Sequence, residues 1–291
     1  MTRVGAIFSP YPNPPEAFRA AVEAAEEAGV PELWIWEDCF RQSAFATASA
    51  ALAWTERLRI GIGIAPMPLR NVAATAMEIA TIERMCPGRL LPGVGHGVLP
   101  WMAQVGARAA SPLTLMREYV PALRALLAGE EVTVDGRYVT LDHVRLDWPP
   151  AAAPRVYCAA EGPKTLRLAG AVADGVLLNS GYAPDAIARS VEAVRAGHAE
   201  AGRDDRFDVA AYVVAAFEPD AAARAAAEVE EILPGSDPRA AVLAGAPDEV
   251  AAEIARFADA GIDDIVLQPP REEPDLAAYF RNVGEVARLI A

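Results

Sequence analysis

Short apolar runs alternate along the chain with longer segments whose apolar positions recur every three to four residues. Val4 to Phe8 reads as a buried strand, and Ala17 to Ala28 as a helix with Phe18, Ala21, Val22 and Ala25 on one face, stopped by Gly29. Leu33 to Trp36, Leu58 to Ile64 and Leu90 to Val94 are further strands. Ala44 to Thr55 and Val72 to Met85 are the helices between them, and Pro87-Gly88 stops the second. Ser111 suits an N-cap with Pro112 behind it, opening a helix that runs through Thr114 to Leu127. Val132 to Val134 and Tyr138 to Leu141, around Asp135-Gly136, form a β-hairpin pattern. Then follow strands at Arg155 to Ala160, Gly175 to Leu178, Val209 to Phe217 and Asp264 to Leu267. Helices are expected at Lys164 to Val172, Pro184 to Ala201, Ala221 to Ile232, Pro247 to Ala260 and Asp275 to Ile290.

Eight strands, apolar throughout and each followed by a helix-like segment, indicate a parallel sheet covered on both faces. Eight such units favour a closed (β/α)8 barrel, a TIM barrel, over an open doubly wound sheet. No Gly-x-Gly-x-x-Gly follows the first strand, which weakens a dinucleotide-binding fold. Leu233 to Pro238 is the best candidate break and reads as a loop within the barrel, so residues 1–291 are expected to form one domain.

Composition narrows the partners. The chain has 291 residues, 53% of them hydrophobic, with a formal net charge of −14. That acidity disfavours a phosphate backbone as partner, and there is no basic patch to offset it. No apolar run approaches the roughly 18 to 20 residues of a membrane span, and the first residues lack a basic region followed by a cleavage motif, so a cytoplasmic protein is expected. Cys39, Cys86 and Cys158 are odd in number and scattered. His96, His143 and His198 lack ligand spacing. No metal site is expected.

In a (β/α)8 barrel, chemistry sits at the C-terminal strand ends. The positions to watch are Ser9 to Tyr11, Glu37-Asp38, Gly63 to Ala65, Gly95 to Gly97, Ala159 to Gly162, Asn179-Ser180, Phe217-Glu218 and Gln268. Glycine and alanine are frequent among them, which lets a flat ligand approach the backbone closely. Each residue also has an ordinary reading. Glu37 and Asp38 could be capping or surface acids, and His96 a structural histidine. Trp34 and Trp36 share a strand face and suit barrel packing, whereas Trp101 suits a substrate wall. His143 and His198 read as surface residues, and Cys39 has no evident base beside it.

Several of these stretches resemble the luciferase-like monooxygenase superfamily, and within it the oxidoreductases that use the deazaflavin coenzyme F420, of the methylenetetrahydromethanopterin reductase type. They are Leu33 to Asp38 with Ala44 to Ala46, Arg57 to Ile64 with Ala74 to Ala76 and Ile82 to Arg84, Gly88 to Gly97, and Val156 to Lys164 through Ala173 to Val176. The resemblance implies a bacterial-luciferase-like barrel that transfers a hydride between F420 and a small organic substrate. Glu37, Asp38 and His96 would be the catalytic candidates. Gly63, Ile64, Ala65, Gly95, His96, Gly97, Ala159, Ala160, Glu161, Gly162, Pro163, Lys164 and Asn179 would bind the cofactor. It also implies a non-prolyl cis peptide at Gly63-Ile64, phosphate binding at the helix opened by Gly162 to Lys164, and a homodimer through the helices at Ala44 to Thr55 and Val72 to Met85.

The chain departs from the family pattern at Arg70-Asn71-Val72, where relatives usually carry Arg-His-Pro, and at Asp38, where a histidine is frequent. The stretch from Ala221 to Gly245 is shorter than the usual insertion after strand seven, which commonly helps cover the substrate. Two other readings stand beside the first. One is an FMN-dependent monooxygenase served by a flavin reductase. The other is a flavin-binding barrel without turnover.

Overall fold

The computed structural model describes residues 2–217 and 220–291, so Glu218, one of the watched positions, lies outside the described residues. The chain runs β1 (Arg3–Phe8), α1 (Phe18–Glu27), β2 (Glu32–Ile35), α2 (Ala44–Trp54), β3 (Arg59–Pro66), α3 (Val72–Met85) and β4 (Leu90–Gly95). Next come α4 (Leu99–Gln104), α5 (Pro112–Leu127), the hairpin strands β5 (Val132–Asp135) and β6 (Thr140–Val144), β7 (Tyr157–Ala159), α6 (Pro163–Val172) and β8 (Gly175–Leu178). It ends with α7 (Pro184–Glu200), β9 (Asp208–Ala216), α8 (Ala221–Ile232), β10 (Val242–Ala244), α9 (Pro247–Ala258), β11 (Asp264–Gln268) and α10 (Leu276–Ile290).

Parallel pairing runs β1-β2-β3-β4-β7-β8-β9-β11, and β11 returns to β1, so among the described residues eight strands close a (β/α)8 barrel. Two elements were not expected from the sequence. β10 pairs with the upper end of β9 outside the closed circuit, and α4 follows β4. Three and six residues are too short to show a period. The stretch after strand seven is therefore a small helix-and-strand layer, in which Val229 of α8 and Val242 of β10 pack on Val214 of β9.

Side chains fill the barrel. Trp34, Tyr157, Tyr212, Ile7 and Leu91 form its inner core, with the Trp34 and Tyr157 rings edge to face at 5.7 Å. Gly61 makes room for this, since a Cβ there would run into the Trp34 ring. Below the aromatics, the Trp34 indole N–H donates to the buried Glu32 carboxylate, which also accepts from Arg59 Nη1 at 2.6 Å. Charge pairs thereby line the N-terminal end, and the opposite mouth lies above Tyr212.

The helices form because their apolar faces meet the outer side of the sheet. Ser111 caps α5 as its sequence suggests, accepting from the Thr114 N–H, and Asp275 caps α10. Asn71, where the resemblance implies a histidine, caps α3 by accepting from the Ala73 N–H at 2.9 Å. Glu26 on α1 accepts the backbone N–H groups of Glu56, Arg57 and Leu58, fixing the approach to β3. His198, expected at the surface, packs its ring on Phe207 and pairs with Asp205, while His143 is exposed.

Candidate active site

β2 and β3 are neighbours in the barrel, so their C-terminal ends bring Glu37-Asp38 and Gly63-Ile64 side by side. Between Ile62 and Ala65 the register of β3 against β4 shifts, and the Gly63–Ile64 peptide within that bulge is cis, as is Cys39–Phe40. The bulge pushes the backbone into the mouth. Gly63 is required there, because a Cβ would collide with the Tyr212 hydroxyl, which donates to the Gly63 carbonyl at 3.1 Å.

Two connected lobes open at the barrel mouth. The larger, about 440 Å³, is lined by Glu37, Asp38, Gly63, Ile64, His96, Gly97, Ala159 to Gly162, Thr165, Asn179 and Tyr212. The smaller, about 270 Å³, adds Ser9, Tyr11, Trp36, Ser180, Glu228, Gln268 and Arg271. Asp38, Gly63, Val98, Trp101, Asn179 and Tyr212 belong to both. Trp101, on α4, forms the wall its sequence position suggests. Trp34 is sealed inside the barrel, whereas Trp36 reaches the smaller lobe.

Most of the expected site residues converge on this cleft, but four do not line it. Ala65 is buried beneath it. Gly95 is covered by the Ile64 side chain, which would lie 3.1 Å from a Cβ there. Pro163 and Lys164 sit on the exposed outer edge of the α6 turn. Phe217 instead packs on Tyr279, at 5.3 Å between ring centroids.

The acidic pair divides into two environments. Both Glu37 oxygens accept from Arg70, and Arg70 also reaches Glu78 and lies over the Phe45 ring. Burial opposes the charge on Arg70 most strongly, but the hydrogen bond to Glu37 and the charges of Glu37 and Glu78 together outweigh it and raise its pKa. Glu37 is thus occupied, which removes it as a free acid or base. Asp38 accepts one hydrogen bond, from the Tyr11 hydroxyl to Oδ2 at 2.7 Å. Among the described residues its Oδ1 has no hydrogen-bond partner. Burial pushes the Asp38 carboxyl above its ordinary value, while Tyr11 and Arg41 pull it down. His96 Nε2 is buried without a partner, and burial lowers the imidazole's affinity for a second proton. Burial and the charges of Glu37 and Asp38 push the Cys39 thiol up, which disfavours its thiolate form.

The sequence did not reveal Thr165, Tyr212, Arg271 or Glu228 as site residues, nor Arg70 as the partner of Glu37. Tyr212 left one trace, a lone large polar ring in an alanine- and valine-rich strand. Gly162 and Pro163 open α6 with no side-chain cap, so the main-chain N–H groups of its first turn are uncapped, and Thr165 in that turn lines the cleft. Asn179 is held by Glu161 Oε1 at 3.3 Å. Among the described residues, no group of three or more histidine, cysteine, aspartate or glutamate side chains could hold a metal, and no helix is long and apolar enough to cross a membrane.

These features fit a flat, anionic ring cofactor. Small residues at Gly63, Gly97, Ala159, Ala160 and Gly162 leave a slot for a planar ring, and the uncapped α6 turn offers donors to a phosphate. Residues 1–236 match the sequence profile described as luciferase-like monooxygenase. The 5,10-methylenetetrahydromethanopterin reductase of Methanolobus tindarius is 33% identical over 228 residues, covering 78% of this chain and 67% of that protein. An F420-dependent secondary alcohol dehydrogenase in complex with an F420-acetone adduct superposes with a TM-score of 0.87 at 25% identity, over 100% of this chain and 99% of that one. The F420-dependent tetrahydromethanopterin reductase of Methanopyrus kandleri gives the same TM-score at 23% identity, with the same two coverages.

Proposed function

The chain belongs to the luciferase-like monooxygenase family, and from that premise we propose that it is an oxidoreductase that binds coenzyme F420 in the larger lobe and exchanges a hydride with a small organic substrate. The observation that carries this reading is the pairing of an open, glycine-lined slot with a half-buried carboxyl, Asp38, free at Oδ1 where the two lobes meet. The deazaflavin supplies the hydride-carrying carbon when bound. The protein supplies the rest. The Gly63–Ile64 bulge and Ala159 to Gly162 bound the ring slot, and the Lys164 and Thr165 N–H groups hold the phosphate at the positive end of α6. Glu37, fixed by Arg70, is a shaping group at the slot's edge. Asp38 holds or accepts the proton that accompanies hydride exchange. The secondary alcohol dehydrogenase and the methanopterin reductases suggest a carbonyl or alcohol carbon, or a methylene carbon carried by a reduced pterin, as the reacting centre.

The same reading includes a homodimer through α2 and α3. No charged side chain occurs from Ser43 to Thr55, and the outer side of α3 exposes Ala74, Met77, Thr81 and Met85 beside Arg84 and the partly exposed Glu78. On a chain with a net charge of −14, a sparsely charged helical face with two exposed methionines suits burial against a second copy. Sedimentation velocity would give a dimer for the native protein and a monomer for Met77→Glu.

Fluorescence titration with oxidised and reduced F420, and separately with FMN, tests the cofactor. Micromolar binding of F420 with weaker FMN supports the proposal. Preference for FMN would replace it with the monooxygenase reading, and binding of neither below millimolar concentration would overturn both.

A further inference from the structure

Tyr11 is placed with more care than a surface loop residue requires. Its backbone N–H lies 3.4 Å from Ser9 Oγ, and Asn13 Nδ2 donates to the Ser9 carbonyl, so the turn after β1 is tied down. The Arg41 guanidinium lies 4.0 Å from the Tyr11 ring centroid and that of Arg271 lies 5.1 Å from it. Arg271 is itself anchored to α8, through its main-chain N–H to Glu228 Oε2 at 2.9 Å and its Nη1 to Glu231 Oε1 at 2.6 Å. A chain of contacts thus runs from the helix covering the smaller lobe, through Arg271 and the Tyr11 ring, to Oδ2 of Asp38.

We propose that Tyr11 is the positioning residue for Asp38: its hydroxyl holds Oδ2 and leaves Oδ1 directed to the junction of the lobes, where a substrate carbonyl or hydroxyl oxygen docks. This rests on the assignment of Asp38 as the proton-handling group. The smaller lobe then takes the substrate. Its aromatic surfaces, Trp36, Trp101 and Tyr212, cover an apolar body, and the Ser180–Gln268 pair and Arg271 present polar groups to the substrate's oxygen-bearing end. The class that fits is a small neutral ketone or secondary alcohol with one such polar end.

The charged and titratable groups around Asp38 are few. Tyr11 reaches it from the β1 loop and Arg41 from the β2 loop. Tyr212 faces it from β9 and Cys39 lies next to it in the chain. Arg271 acts from the β11 loop through the Tyr11 ring, and the neighbouring Glu37 is taken up by Arg70. A hydrogen bond given to the ionised carboxylate favours ionisation, and burial opposes it. Removing the hydroxyl therefore shifts Asp38 upward.

The full-length Tyr11→Phe variant tests this in two ways. In the ligand-free protein, carbonyl NMR follows the Asp38 carboxyl, assigned by its loss in Asp38→Asn. Its inflection should move up by about one pH unit in Tyr11→Phe. In the F420-dependent assay with a small ketone, the matching limb of the pH profile should move with it, kcat should fall about tenfold, and KM should change little. Arg41→Gln, which removes the facing cation and keeps the hydroxyl, should shift the inflection in the same direction and serves if Tyr11→Phe does not fold. An Asp38 inflection unmoved in either folded variant overturns the proposal. A shift in the ligand-free protein without any F420 binding keeps the Tyr11–Asp38 assignment and removes the deazaflavin reading instead.

Discussion

The Arg70 guanidinium forks onto the Glu37 carboxylate, Nη1 to Oε2 at 2.7 Å and Nη2 to Oε1 at 2.6 Å. Such a bidentate pair is specific to arginine. Both side chains are largely buried, so removing one partner strands the charge of the other. Arg70→Met should lower unfolding stability by about 2 to 4 kcal/mol in urea titrations. The Arg70→Met/Glu37→Gln double variant should recover part of that loss. Simple additivity of the two single losses would mean the pair is not coupled.

Gly63 admits no side chain. A Cβ there would strike the Tyr212 hydroxyl and lie 2.8 Å from Leu177 Cδ2. Gly63→Ala is expected to cost about 1 to 3 kcal/mol and to weaken F420 binding at least tenfold. Tyr212→Phe in the Gly63→Ala background removes the closest clash and should return part of the stability. Wild-type thermal stability and binding in Gly63→Ala would show that the slot is not where it is placed.

His96 should be neutral at pH 7. Burial lowers its imidazole below the ordinary value near 6.5, and Nε2 has no partner to hold a proton against. The folded state then binds a proton less readily than the unfolded chain does. The stability His96 contributes is therefore full above about pH 6.5 and declines as pH falls below it. An NMR titration of the three histidine ring signals, with His96→Asn for assignment, should give His96 an inflection below 6.5. An inflection above 7 would contradict the environment described.

Glu26 is also held below its ordinary value, here by hydrogen bonds to the charged form and against burial. Three backbone N–H groups donate to it at 3.0, 3.0 and 2.7 Å and favour its ionised form over the opposing effect of burial. Its folded-state pKa is depressed, so its contribution is present above the unfolded value near 4.3 and fades as pH falls through the folded value. Glu26→Gln should cost about 1 to 2 kcal/mol at pH 7 and much less at pH 3. Chemical unfolding at the two pH values checks this.

The barrel was legible because its strands are apolar on both faces and its helices are periodic. Both signals survive in a single sequence, and the boundaries fell within a residue or two for Val72–Met85 and Gly175–Leu178. The cleft followed from strand ends, which is how Glu37, Asp38, His96 and Asn179 were found. Pairing was not legible. Glu37 and Arg70 are 33 positions apart, and that Arg70 would occupy both oxygens of one acid and leave the other free depends on the neighbouring placement of β2 and β3. Tyr212 was hidden for a similar reason. A residue in the middle of a strand reaches the mouth only because the facing Gly63 has no side chain. Asn71 shows the reverse case, a departure from the family pattern that the structure explains as a helix cap.

The barrel closes by pairing its first strand with its last, Arg3 lying opposite Asp264 across 261 positions of sequence. Every other seam of the barrel joins strands much closer in the chain. This seam has the largest sequence separation in the barrel and needs β11, the last strand of the chain, before it can form. A nascent chain presents β1 with one edge open until β11 has been made, and the free edges of β1 and β9 are the places where a stalled or truncated chain would pair with another copy.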